Sequence, residues 1–199
     1  MKLNLIKFFA ALALLIHMNV QAAGADDNTS LPKMLMYIQP IEYTSPIQLW
    51  HPYQGYWFHQ GPVVEAQAMP KLTQAYGEVS LCESNQSGRT LVWLQPRMFY
   101  NPQVQLFYGK VTANVYTGMG NFVASYVGES SVHGFLDIQA DVWIEKTYAL
   151  ALDEMVAKMQ ADHSLQALVD SASAMSASDA APCSMVTLLP IPKIRVMSF

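Results

Sequence analysis

Apolar and polar positions alternate along some stretches of this chain and recur at helical spacing along others. Leu35 to Tyr43 read as a first strand, with Leu35, Tyr37, Gln39, Ile41 and Tyr43 on one face and Met36, Ile38, Pro40 and Glu42 on the other. Pro40 has no N–H, so this strand is expected at an edge, or broken there. Val64, Ala68, Leu72 and Ala75 then keep one-face helical spacing. Gly61-Pro62 puts a proline where a helix can begin, and Gly77 supplies a left-handed cap. Pro70 inside that run predicts a kink or a later start. Residues 44–61 are crowded with aromatics, Pro and Gly and read as an irregular loop.

Farther on, Glu78 to Cys82 is a short strand candidate and residues 83–88 a polar turn. Thr90 to Tyr100 is strand-like by composition, and Pro96 within it implies an edge or a bulge. Val104 to Thr117 is β-branched and aromatic, with Gly109 a candidate bulge. Gly118-Met119-Gly120-Asn121 is a hairpin turn, and Phe122 to Val127 returns antiparallel. A further short strand is expected over 134–138. Val142 to Asp162 gives the clearest helix, with Asp141 as its N-cap and Glu145 in its first turn. Tyr148, Leu152, Met155 and Met159 line its apolar face; Asp153, Glu154, Lys158 and Gln160 line the other. The predicted class is α+β, an antiparallel sheet centred on Arg89 to Val127 with helices packed on one face.

The first residues change the picture by giving an address. Lys2 and Lys7 precede an apolar run, Phe8 to Ile16, that is too short to span a bilayer. Small residues follow at Ala22 and at Ala25, either of which suits a signal peptidase. Residues 1–25 are therefore expected to be a cleaved secretory leader, placing the protein in the periplasm or outside the cell. No cysteine stands near either cleavage point, so no lipid anchor is expected. Residues 26–170 form one domain, 171–182 a small-residue polar linker, and 183–199 an extended apolar tail carrying Pro190 and Pro192.

Losing the leader removes two of the eleven basic side chains and none of the fifteen acidic ones. A mildly acidic domain gets no electrostatic help toward phosphates, so nucleic acid is not expected as a partner and anionic lipid is disfavoured. Only 13% of residues are charged and 52% are apolar, which predicts a large core or an apolar surface that meets a partner. Both cysteines, Cys82 and Cys183, survive processing, and an oxidising compartment permits a bridge between them. The chain-entropy model caps the gain from so long a loop at roughly 4–5 kcal/mol. Two buried thiols are the alternative.

The aromatic stretch Trp50, His51, Tyr53, Tyr56, Trp57, Phe58 and His59 is the leading candidate surface. Aromatic faces with a polar rim suit a sugar, a small ligand or a protein partner; folding onto the core is the competing role. The His51–His59 pair lacks the third ligand a metal site needs, so no metal or cofactor is expected. Ser130, Ser131, His133 and Asp137 have hydrolase residue types but no GxSxG elbow. The carboxylates Glu65, Glu78, Glu83, Glu129, Asp137, Asp141 and Glu145 offer no singled-out pair. Gly118-Met119-Gly120 leads into a strand rather than a helix, so it is no phosphate loop.

The helix around Pro70 to Tyr76, the strands from Arg89 to Val127 and the run Lys146-Thr147-Tyr148-Ala149-Leu150-Ala151-Leu152 follow in a recognisable order. That order resembles small β-α-β-β-α envelope proteins of Gram-negative bacteria, such as ABC-transport auxiliary proteins and related outer-membrane-associated domains. Those proteins are usually lipid-anchored, and this chain lacks the lipobox cysteine. The resemblance implies an accessory role without the anchor, and no functional residue is carried over from it. The expectation is a non-enzymatic envelope accessory protein that meets a protein partner, with strand addition at the sheet edge as one mode. A glycan- or small-ligand-binding protein using residues 50–59 is the alternative, and a hydrolase a further one.

Overall fold

A computed structural model describes residues 32–83, 86, 88–171, 183 and 186. The leader, nearly all of the linker and the tail apart from Cys183 and Val186 lie outside the described residues. Strand β1 (Met34–Ile38) is shorter than its alternating pattern. Pro40 adopts φ −54° and ψ −30°, a helical conformation, and leads into the single turn α1 (Ile41–Thr44). Alternation alone does not reveal that stop.

Residues 44–61 are not an irregular loop. They hold an antiparallel hairpin of β2 (Ile47–His51) and β3 (Gln54–Phe58), closed at Pro52-Tyr53. Ile47, Leu49, Tyr56 and Phe58 pack against the core, while Gln48, Trp50 and Trp57 alternate outward. Aromatic residues occupy both faces, which hides the period of two in the sequence.

Helix α2 (Gln60–Tyr76) runs through Pro70 as one element. Pro70 and Ala66, four residues before it, are both exposed, so water can reach the carbonyl that lost its donor. Gly77 ends the helix at φ 87° and ψ −124°, a backbone conformation glycine adopts without a Cβ clash but outside the left-handed helical region expected for its cap. The chain then enters β4 (Val79–Leu81), β5 (Thr90–Asn101), β6 (Leu106–Thr117) and β7 (Phe122–His133).

The main sheet has the order β4-β1-β5-β6-β7. It is antiparallel across β5, β6 and β7 and becomes mixed at β1, which runs parallel to both β4 and β5. The crossover through α2 brings β4 back in the direction of β1. Gly109 carries no bulge; the irregularity between β6 and β7 lies at Val115/Tyr116. β7 continues to His133, paired with Leu106, and no separate strand forms over 134–138.

Helix α3 (Ala140–Ala161) lies on β6 and β7. Its N-cap position is Gln139, without a side-chain bond, and Asp141 sits in the first turn instead. Tyr148, Leu152, Met155 and Met159 are buried, as the helical spacing predicted. Two sheet glycines let α3 approach closely. A Cβ on Gly109 would meet Thr147 Cγ2 at 2.7 Å; one on Gly128 would overlap the Ala151 carbonyl and lie 2.7 Å from Met155 N. Asp162 ends α3 and caps α4 (His163–Asp170), accepting the N–H groups of Ser164 and Leu165. The bond from Ser164 Oγ, then that from Tyr126, pulls the Asp162 carboxyl from 3.8 down to about 2.

Among the described residues, the helices cover one face of the sheet. On the other, Leu35, Leu91, Trp93 and Tyr116 are buried with Val186 against Cys82 and Cys183, and Gly88 lies beside Leu35. The Cys82–Cys183 disulfide is formed and spans a sequence separation of 101.

Gly128→Val should lower unfolding free energy by about 3 kcal/mol or more, because the new side chain meets helix backbone rather than a movable side chain. Urea titration checks this, and a loss within about 0.5 kcal/mol contradicts the close approach. For Asp162 the native carboxyl titrates below the unfolded one. Its contribution is present above pH 3.8 and is lost as pH falls toward about 2. Asp162→Asn should therefore flatten stability against pH across that window relative to the parent.

Candidate interaction surface

The hairpin divides the sequence-predicted residues between its two faces. Trp50 and Trp57 stand on the outer face, 59% and 60% exposed, and Tyr53 at the turn is 92% exposed. Trp50 pairs across the hairpin with Gly55, and Trp57 with Gln48. Gly55 offers no side chain to cover the Trp50 ring. His51 is half-buried: its Nδ1 accepts the Tyr53 N–H at 3.3 Å, and the two rings lie 5.5 Å apart. His59 is exposed at the start of α2. Tyr56 and Phe58 turn inward and serve the fold. His51 lies beside the hairpin turn and His59 beyond the far end of β3, so the structure does not bring the pair together. No group of three His, Cys, Asp or Glu is placed for a metal among the described residues.

Several polar contacts hold the hairpin. Tyr56 donates to Asp141 at the start of α3. Burial, then the bond and the negative charge of Asp141, push the Tyr56 phenol up to about 12. At its base, the Tyr43 ring lies over Gly61, and Tyr43 donates to Glu65 at 2.6 Å. Beside it runs a buried polar chain. Tyr148 donates to Gln60 Oε1 at 2.5 Å, Gln60 Nε2 donates to Glu42 Oε2 at 2.8 Å, and Arg97 Nη1 donates to Glu42 Oε1 at 3.3 Å. Burial, reinforced by the Glu42 charge and opposed by Arg97, holds the Tyr148 phenol well above its ordinary range.

Next to the hairpin lies a cleft of about 400 Å³ between Gln48–Trp50 of β2 and Met98–Gln103. Its lining contains no Asp, Glu, Lys, Arg or His. Phe99, 60% exposed, stacks on Tyr108 with ring centroids 6.0 Å apart on the uncovered part of the sheet. The turn after β5 is tied to the loop after β7 by Gly134 N–H donating to the Gln105 carbonyl at 3.0 Å. These connections expose Val104, Phe135 and Ile138, and Val142 is open in the first turn of α3. Sequence reading passed over Phe99 and Tyr108, because alternation along a strand cannot say which part of a face stays uncovered.

The hydrolase residue set is not assembled. Ser130 points to the helix side and donates to the Thr147 carbonyl at 2.6 Å, while Ser131 and His133 alternate to the opposite face. Asp137 accepts the Gln139 N–H at 2.8 Å. Of the carboxylates, Glu65 and Asp141 hold tyrosines and Glu129 pairs with Lys110 at 2.7 Å.

No protein-family model and no curated protein matches this chain. Among solved structures, it is similar to a protein of Caulobacter crescentus described as a candidate lipoprotein, at 13% identity and a TM-score of 0.34. The match covers 58% of this chain and 84% of that one.

Tyr148→Phe removes one donor and leaves Gln60 Oε1 buried without it. It should cost about 1–2 kcal/mol by urea titration, and an unchanged midpoint would remove the buried chain as a support of the hairpin.

Proposed function

We propose that this protein is an extracytoplasmic accessory protein of the cell envelope that acts through protein contacts rather than turnover. The observation that carries the reading is the exposed apolar surface at the hairpin and the ends of β5 and β7. Trp50, Tyr53, Trp57, Phe99, Phe135 and Ile138 are all open there. Such concentration is the mark of a surface that meets something. The leader-like first residues and the Cys82–Cys183 bridge support an oxidising compartment. No helix among the described residues is long and apolar enough to cross a membrane. The resemblance to transport auxiliary proteins directs the partner search toward envelope transport complexes. A mildly acidic surface leaves nucleic acid an unsuitable partner.

A second reading rests on Trp50 and Trp57, which share the outer face of the hairpin, Trp50 opposite Gly55 and Trp57 opposite Gln48. Two open indoles beside an amide suit the apolar faces and hydroxyls of a neutral glycan.

A photo-crosslinking residue at Trp57 in living cells should capture one dominant envelope protein, and one at Gln160 on the exposed side of α3 should not. The same background at both positions contradicts the contact reading. Soluble peptidoglycan fragments that quench tryptophan fluorescence in the parent but not in Trp57→Ala would select the glycan reading instead.

A further inference from the structure

The Cys82–Cys183 bridge holds a strap on the sheet face away from the helices. Cys82 follows β4, and its backbone N–H donates to the Met36 carbonyl of β1 at 2.8 Å. Three residues beyond Cys183, Val186 is seated in a small cluster with Leu35, Leu91, Trp93 and Tyr116. This cluster is separate from the main core. Among the described residues, the main core takes no buried side chain from 82–88 and none beyond Val169. The helices are therefore held to the sheet without the strap. The strap also covers its face at a cost. Trp93 of β5 and Asn114 of β6 stand directly opposite each other, so their side chains share that face. Trp93 is 3% exposed and Asn114 wholly buried, yet neither the Trp93 Nε1–H nor the Asn114 Oδ1 has a hydrogen-bond partner. A donor and an acceptor kept dry side by side each forfeit their bonds to water.

We infer that the bridge is a redox latch: reduction by a dithiol frees the strap carrying Cys183 and Val186 to leave the sheet and uncover Trp93 and Asn114, while the helix-covered domain stays folded. The step is thiol–disulfide exchange. A thiolate of the dithiol attacks one bridge sulfur, the S–S bond breaks, and the other cysteine departs as a thiolate. The second thiol then attacks the mixed disulfide and releases the first cysteine. The dithiol ends as a disulfide, and its two electrons and two protons end on Cys82 and Cys183. Both cysteines are half-buried, so the bridge is within reach of such a reagent. Once the bond is cut, opening is favoured. A closed strap gains the burial of Val186 and of the floor beneath it. Against that stand the ordering of the strap and two unpartnered polar atoms that water would satisfy. The bridge reverses this balance by anchoring the chain three residues from Val186. Without it, the nearest preceding core side chain is Val169 of α4, seventeen residues back. The latch lies away from the hairpin and is independent of the contact surface there.

Hydroxyl-radical footprinting tests this with Trp93 as the reporter. The full protein is compared oxidised and after reduction with dithiothreitol, the reagent then being removed without air. Reduction should raise Trp93 oxidation at least about tenfold, toward the rate of exposed Trp50, and leave buried Met155 of α3 protected. Reoxidation should restore the first pattern. Cys183→Ser should show the open pattern with no reductant; should that variant fail to fold, the reduced parent decides. Asn114→Leu removes the unpartnered acceptor and should keep Trp93 oxidation about threefold lower in the reduced protein. Trp93 still protected when both thiols are free overturns the latch, since packing alone would then hold the strap. Trp93 and Met155 opening together also overturns it, because the bridge would then staple the whole domain. So does identical Trp93 oxidation in reduced Asn114→Leu and reduced parent, which removes the dry pair as the cost that drives opening.

Discussion

The buried chain from Tyr148 through Gln60 to Glu42 and out to Arg97 is the constraint on which the candidate surface depends. It joins four elements: α3 supplies Tyr148, α2 begins at Gln60, α1 carries Glu42, and β5 carries Arg97. The hairpin leaves α1 and re-enters at α2, so both of its ends are tied to this chain. A buried carboxylate is costly unless its lone pairs are satisfied, and here both Glu42 oxygens accept a bond. The exposed end of the chain, Arg97, also donates to the Pro96 carbonyl. One polar network thus places the hairpin.

Packing supplies the platform under that network. Helix α3 sits close on the sheet because Gly109 and Gly128 leave room for its backbone, and this depth brings Tyr148 to Gln60. At its N-terminal end, Asp141 receives Tyr56 from the hairpin. Among the described residues, the opposite sheet face is closed at one end, under Cys82, Cys183 and Val186. Phe99 and Tyr108, farther along β5 and β6, remain open. Coverage on one side and exposure on the other follow from where the bridge anchors the chain.

Legibility in the sequence tracked how local each determinant is. The helical face of Tyr148, Leu152, Met155 and Met159, the helix stop at Gly77 and the turn at Gly118–Asn121 are local patterns, and the structure follows them. The Cys82–Cys183 bridge followed from having two cysteines to pair. The hairpin was hidden because aromatics stand on both of its faces. The parallel placement of β1 against β5 is a tertiary outcome of the α2 crossover, invisible to alternation. Gly109 and Gly128 read as a bulge and a strand end, and their cause lies in α3, some twenty to forty residues on. Of the aromatic surface, the residue types were legible and the facing was not: Tyr56 and Phe58 belong to the fold, and Trp50, Tyr53 and Trp57 to solvent.

The central claim is that the open aromatics are covered by a partner in the cell. Oxidative footprinting of Trp50, Trp57 and Phe99 in living cells, against the purified protein, tests it directly. The account predicts slower oxidation of all three in cells, with exposed residues on the outer side of α3 unchanged. Equal rates in the two settings would contradict it.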